Sequence, residues 1–121
     1  MRAMHRDFKV ENVMLHDGVC KIVDLGFGKQ LMGEEVTRTK LGSNLTMAPE
    51  VMQGLPYDFR ADIWSIGVVF FQMLFGRFPI FARNPTALLE KARNGDYTFD
   101  GADVSDDSKD FLRRCLKFNP E

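Results

Sequence analysis

The side chains best suited to chemistry are concentrated in the first 24 residues of the chain. Short apolar segments lie on either side of Asp17-Gly18, and an Asp-Gly pair between such segments predicts an antiparallel β-hairpin. Asn12 precedes the first predicted strand and Asp24 follows the second. We therefore expect these two residues to face each other at the open end of the hairpin. An amide oxygen and a carboxylate at one place suit Mg²⁺.

Two more functional side chains lie just upstream of the predicted hairpin. Asp7 and Lys9 occupy the loop that leads into its open end. Phosphoryl transfer requires a metal that bridges phosphates, a carboxylate that orients the attacking hydroxyl and a cation that holds the transferring phosphate. The segment supplies side chains of all three kinds, so its chemistry indicates phosphoryl transfer.

Three motifs in register give this segment a family resemblance. The run from His5 to Asn12 resembles the catalytic loop H-R-D-L-K-P-E-N of protein kinases, residues 24–26 resemble the metal-binding D-F-G, and residues 48–50 read A-P-E. By their order and spacing the chain is identified as a member of the eukaryotic-type serine/threonine protein kinase family. The resemblance covers essentially the whole chain.

The resemblance implies a role for each side chain of the site. Asp7 would be the catalytic base, Lys9 would contact the transferring phosphate of ATP, and Asn12 and Asp24 would hold Mg²⁺. A lysine two residues after the aspartate is typical of serine/threonine kinases. The implied function is transfer of a phosphoryl group from ATP, with Mg²⁺, to a serine or threonine of a protein substrate.

Residues 24–50 would form the activation segment of such a kinase. Thr39 and Thr37 are candidate sites of activating phosphorylation by an upstream kinase, and Arg6 would pair with the phosphate through charge-assisted hydrogen bonds. Thr46 stands where the family usually has a tyrosine, in the loop that faces the protein substrate.

Further residues would have structural roles. The resemblance implies that His5 and Leu25 stack in the regulatory hydrophobic spine and that Asp62 hydrogen-bonds to the backbone of the catalytic loop. Glu50 usually pairs with an arginine that follows the point where this sequence stops. We therefore expect the Glu50 carboxylate to lack that partner.

The remaining sequence predicts a mainly α fold with one small β-hairpin. We predict a short helix over 49–54, a central buried helix over 61–75, a helix over 85–94 that follows Asn84, and a last helix over 106–117 capped by Ser105. The resemblance implies that this is the C-terminal lobe of the protein-kinase-like α+β fold, truncated at both ends. Residues 1–121 would then be a partial kinase domain, with residues 5–12 as its catalytic loop.

Composition excludes several classes of protein. The 121 residues carry 16 basic and 17 acidic side chains, a net charge of −1, which argues against a nucleic-acid or membrane-surface partner. The longest apolar stretch is too short to span a membrane. The only cysteines, Cys20 and Cys115, are too few for a disulfide scaffold. We therefore expect a cytoplasmic protein.

A second function remains open. The Gly-rich loop and strand lysine of the family's N-terminal lobe do not occur in this sequence, so we expect the chain alone to be inactive. The alternative to a kinase is a catalytically inactive kinase-like fragment or pseudokinase that binds other proteins, with residues 84–94 and the flanking loops as the docking surface.

Overall fold

The computed structural model describes residues 8–23 and 45–120, which are mostly helical with one two-stranded antiparallel sheet. A 3₁₀ turn at Val10–Asn12 leads into the strands β1 (Val13–His16) and β2 (Val19–Ile22). The helices are α1 (Pro49–Met52), α2 (Arg60–Phe75), α3 (Pro85–Asn94) and α4 (Asp106–Cys115). The prediction of a mainly α fold with a small hairpin is confirmed.

The turn determines the geometry of the hairpin. Asp17 and Gly18 both have positive φ, at 48° and 75°, as the two-residue turn that matches the twist of paired strands requires. The strands then pair with His16 opposite Val19 at the turn and Val13 opposite Ile22 at the open end. The predicted hairpin is therefore confirmed.

The helix ends follow the predicted capping residues. The side chain of Asn84 accepts a hydrogen bond from the Ala87 N–H at 2.8 Å, and the Ser105 hydroxyl accepts one from the Ser108 N–H at 3.2 Å. These bonds satisfy amides that the first turn of a helix leaves without a partner. The predicted ends were wrong by two residues in α1 and α4, which stop at positions 52 and 115 rather than 54 and 117.

The core lies where α2 meets the rest of the helical part. Trp64 and Val68 of α2 are buried with Leu88 and Ala92 of α3 in one apolar cluster. On another side α2 packs against α4. There, a β-carbon added at Gly67 would lie only 2.5 Å from the Cys115 β-carbon, so the close approach of the two helices requires glycine.

The prediction that α2 is buried on all sides was wrong. Ile63 and Met73 are 44% and 56% exposed, so one face of the helix is open to solvent. Phe111 of α4 is also exposed, although its ring packs edge-to-face on Phe70 with 5.4 Å between centroids. The sequence pattern predicted that these helices are apolar, but not how many other elements of the fold each helix packs against.

Across residues 8–23 and 45–120, the helices are all too short or too polar to cross a membrane.

Candidate functional site

Asn12 is the best-defined member of the predicted site. It closes the 3₁₀ turn directly before β1, and it is only 3% exposed. Its backbone carbonyl accepts a hydrogen bond of 2.8 Å from the Val23 N–H, which extends the hairpin pairing by one residue. The residue that faces Asn12 is therefore Val23, and Asp24 is the next residue along the chain.

The turn also fixes the start of the segment that contains Lys9. The Asn12 N–H donates a 3.0 Å hydrogen bond to the Lys9 carbonyl, and Lys9 itself has extended backbone, with φ −152° and ψ 165°. Phe8, one residue earlier, is buried. The structure thus brings Lys9 within one turn of the open end of the hairpin, as the sequence predicted.

Seven of the predicted site residues lie outside the described residues. They are His5, Arg6, Asp7, Asp24, Leu25, Thr37 and Thr39. Their positions, and the juxtaposition of Asn12 with Asp24, stay predictions.

Glu50 lies in the first turn of α1 and is buried. It lines a cavity of about 240 Å³ together with Arg60, Trp64, Arg114 and Lys117. None of the basic side chains in residues 8–23 and 45–120 forms an ion pair with its carboxylate; Arg60 pairs with Asp58 at 2.9 Å and Arg114 with Asp110 at 3.0 Å. The structure therefore places Glu50 beside Lys117 and two arginines, Arg60 and Arg114, that are engaged with other carboxylates.

Asp62 lies in the first turn of α2, at the edge of the segment formed by residues 45–48. It lines a small cavity of about 30 Å³ with Met47, Ala48 and Ser65. Its position at the start of a helix suits a carboxylate, because the helix dipole is positive there. Asp62 and residues 45–48 therefore belong to one local structure.

Sequence reasoning missed one polar residue of this structure. Ser65, one turn after Asp62, donates a hydrogen bond from its hydroxyl to the Thr46 carbonyl at 2.6 Å. The only signal in the sequence was a hydroxyl in an otherwise apolar helix, and such a hydroxyl usually bonds to the carbonyl four residues earlier in its own helix. Nothing in the local pattern indicates a partner 19 residues away.

Comparison with known proteins identifies the family. The family model described as the protein kinase domain matches residues 1–121. Calcium-dependent protein kinase 5 of Plasmodium falciparum (isolate 3D7) is 37% identical over 123 residues, which cover 96% of this chain and 22% of the relative. The serine/threonine-protein kinase ATG1b of Arabidopsis thaliana is 39% identical over 124 residues, or 97% of this chain and 17% of the relative.

A third relative agrees with these two. A probable myosin light chain kinase of Dictyostelium discoideum is 36% identical over 121 residues, or 97% of this chain and 39% of the relative. The chain thus spans well under half the length of the curated relatives it matches. Because the family model covers the whole sequence, the chain belongs to the protein kinase family, of the eukaryotic serine/threonine type.

Proposed function

We propose that this chain is the C-lobe portion of a serine/threonine protein kinase domain, and that the intact enzyme transfers the γ-phosphoryl group of ATP to a serine or threonine of a protein. The observation that carries the proposal is the buried Asn12 at the open end of the hairpin, one turn after Lys9 and opposite the residue that precedes Asp24. Membership of the protein kinase family supports the type of reaction.

The donors at this end of the hairpin fit a magnesium ion. The side chains of Asn12 and Asp24 offer amide and carboxylate oxygens, the hard ligands that Mg²⁺ prefers, and the hairpin register places Asn12 opposite Val23, the residue that precedes Asp24 in the sequence. A magnesium ion held by Asn12 and Asp24 would neutralise charge on the phosphates of bound ATP. The 3₁₀ turn fixes the backbone of Asn12, and the residue is buried at this end of the hairpin.

In the proposed reaction, the chain supplies the base and a cation. The substrate hydroxyl oxygen forms a bond to the γ-phosphorus while the bond from that phosphorus to the β,γ-bridging oxygen breaks and ADP leaves. Asp7 accepts the hydroxyl proton, and the Lys9 ammonium contacts the transferring phosphate. The short turn between Lys9 and Asn12 supports their action at a single place.

The remaining predicted residues would assemble and regulate the site. Asp62 would hydrogen-bond to the backbone of the catalytic loop, and Glu50 would have a structural role at the end of the activation segment. His5 and Leu25 stack in the hydrophobic spine. Phosphorylation of Thr39 or Thr37 by an upstream kinase, with Arg6 as the partner of the phosphate, would order the activation segment, because a dianion beside a guanidinium forms strong hydrogen bonds.

The test compares Asp7→Asn and Asp24→Asn in the full-length protein, with Mg-ATP and a general serine/threonine protein acceptor. We expect each change to lower the rate of phosphoryl transfer by about 100-fold or more, because Asp7→Asn removes the proton acceptor and Asp24→Asn removes the carboxylate that would hold Mg²⁺. Asp17→Asn is the matched control: it makes the same chemical change at the exposed hairpin turn, where the φ of 48° also suits asparagine.

Two results would contradict the proposal. Full transfer by both variants would refute the assigned roles. No transfer by the unaltered full-length protein, with or without prior phosphorylation by an upstream kinase, would favour the alternative of a protein-binding module.

A further inference from the structure

The hydroxyl of Ser65 connects the central helix to the segment that precedes α1. Its distance to the Thr46 carbonyl oxygen is 2.6 Å, while the carbonyl of Ala61, four residues earlier in α2, lies at 3.4 Å. A serine hydroxyl has one proton to donate. The shorter contact therefore receives it, and the bond points out of the helix instead of along it.

Both ends of this hydrogen bond are buried. Ser65 is 8% exposed and Thr46 is 6% exposed, so water does not readily replace the hydroxyl if it is removed. A buried carbonyl that loses a donor is destabilised by its own desolvation. The bond thus restrains the backbone of residue 46 more strongly than a similar bond at the surface would.

Apolar contacts hold the same segment on either side. Leu45 and Ala48 are buried in the core cluster with Trp64 and Val68 of α2. Met47 is the only residue of 45–48 that is partly exposed, and it lines two small cavities. The segment therefore has two apolar anchors at its ends and the Ser65 hydroxyl as the polar anchor between them.

We propose that Ser65 is a positioning residue for the recognition of the protein substrate. By fixing the Thr46 carbonyl, it sets the shape of the loop at residues 45–48 and so the affinity for the acceptor peptide, while nucleotide binding depends on other residues. The inference rests on the proposed function, because it is the kinase resemblance that makes this loop face the substrate. Ser65 acts through the loop backbone and not on the reacting atoms.

The test removes the hydroxyl in the full-length protein and separates the kinetic constants. With the best serine peptide from a positional-scanning library, Ser65→Ala should raise the peptide KM about fivefold, the change that corresponds to one net hydrogen bond. The KM for ATP and kcat should stay within about twofold of the unaltered protein. Ser65→Thr keeps the hydroxyl and should restore most of the peptide affinity.

A matched control tests whether a general loss of stability could explain the result. Ser105→Ala also deletes a serine hydroxyl, which caps α4, and loss of such a cap destabilises a helix. It should lower Tm without changing the peptide KM. Amide hydrogen exchange of residues 45–48 should accelerate in Ser65→Ala and not in Ser105→Ala.

The outcomes separate the two proposals. An unchanged peptide KM in Ser65→Ala, or equal changes in all kinetic constants in both alanine variants, overturns the role of Ser65 and leaves the kinase proposal intact. Absence of phosphoryl transfer in the unaltered protein overturns the proposed function, and the role of Ser65 in substrate recognition with it.

Discussion

The hairpin and the central helix position the candidate site by different means. In β1 and β2 only Val13 is partly buried, and Leu15 is 72% exposed, so few tertiary contacts determine this hairpin. In α2, by contrast, buried side chains occur from Ala61 to Phe71, and the helix packs into the apolar core cluster and against α4. Local turn chemistry therefore positions Asn12, whereas tertiary packing positions Asp62 and Ser65.

Two glycines make the contrast measurable. Gly67 of α2 has no room for a β-carbon, because the Cys115 side chain would lie 2.5 Å away. Gly18 of the hairpin turn has nothing within 4 Å of an added β-carbon, but its φ is +75°. Substitution by alanine therefore tests packing at Gly67 of α2 and backbone conformation at Gly18 of the hairpin. Trp64, the single tryptophan, is buried in the core and reports on unfolding of the helical part.

The largest effect is expected for Gly67→Ala. Overpacking a helix interface lowers the free energy of unfolding by about 1–3 kcal/mol, although alanine at an exposed helical position would favour the helix. The variant should shift the Trp64 fluorescence transition to lower denaturant concentration. Adding Cys115→Gly removes the β-carbon in contact, so a double-mutant cycle should show a favourable coupling between the two changes. Strict additivity would refute the proposed contact.

A smaller effect is expected for Gly18→Ala. The left-handed conformation disfavours alanine by about 1 kcal/mol, and no steric clash adds to it. Hydrogen exchange of the hairpin amides should accelerate, while the denaturant midpoint of the Trp64 fluorescence transition should not change. Gly18→Asn should be milder, because asparagine tolerates positive φ. An equal shift of the Trp64 transition would show instead that the hairpin and the helices unfold as one unit.

The same distinction explains which features could be predicted from the sequence. The Asp17-Gly18 turn and the caps at Asn84 and Ser105 depend on interactions within a few residues, and the structure confirms all three. The exposed face of α2 could not be predicted, because Ile63 and Met73 are apolar residues of the kind that buried helices contain. Whether such a side chain is buried depends on neighbours distant in sequence.

The same distinction between local and distant interactions applies to the residues of the candidate site. The position of Asn12 before β1 follows from the hairpin, so its place at the open end could be predicted. The bond from Ser65 to the Thr46 carbonyl could not, because it joins residues of two separate segments. The types of side chain needed for phosphoryl transfer can be identified in the sequence. The contacts that orient the loop before α1 depend on the fold.

The smallest predicted effect is a dependence of helical stability on alkaline pH. Tyr97 packs edge-to-face on Phe99, with ring centroids 5.7 Å apart, and both rings lie near Phe71 of α2. Partial burial raises the pKa of the Tyr97 hydroxyl above its usual value, although the charge of Arg113 opposes the shift. Burial also raises the pKa of the Cys115 thiol.

The sign of the effect follows from proton binding in the two states. Because the folded state keeps Tyr97 protonated at a pH where the unfolded chain has lost the proton, its contribution to stability is fully present below the unfolded pKa and is lost as pH rises through the folded pKa. Above about pH 10, stability measured by Trp64 fluorescence should therefore fall. Tyr97→Phe should reduce this slope, leaving the part due to Cys115. If Tyr97→Phe left the alkaline slope unchanged, partial burial would not raise the pKa of the Tyr97 hydroxyl, and the contrast with the exposed hairpin would have to rest on packing alone.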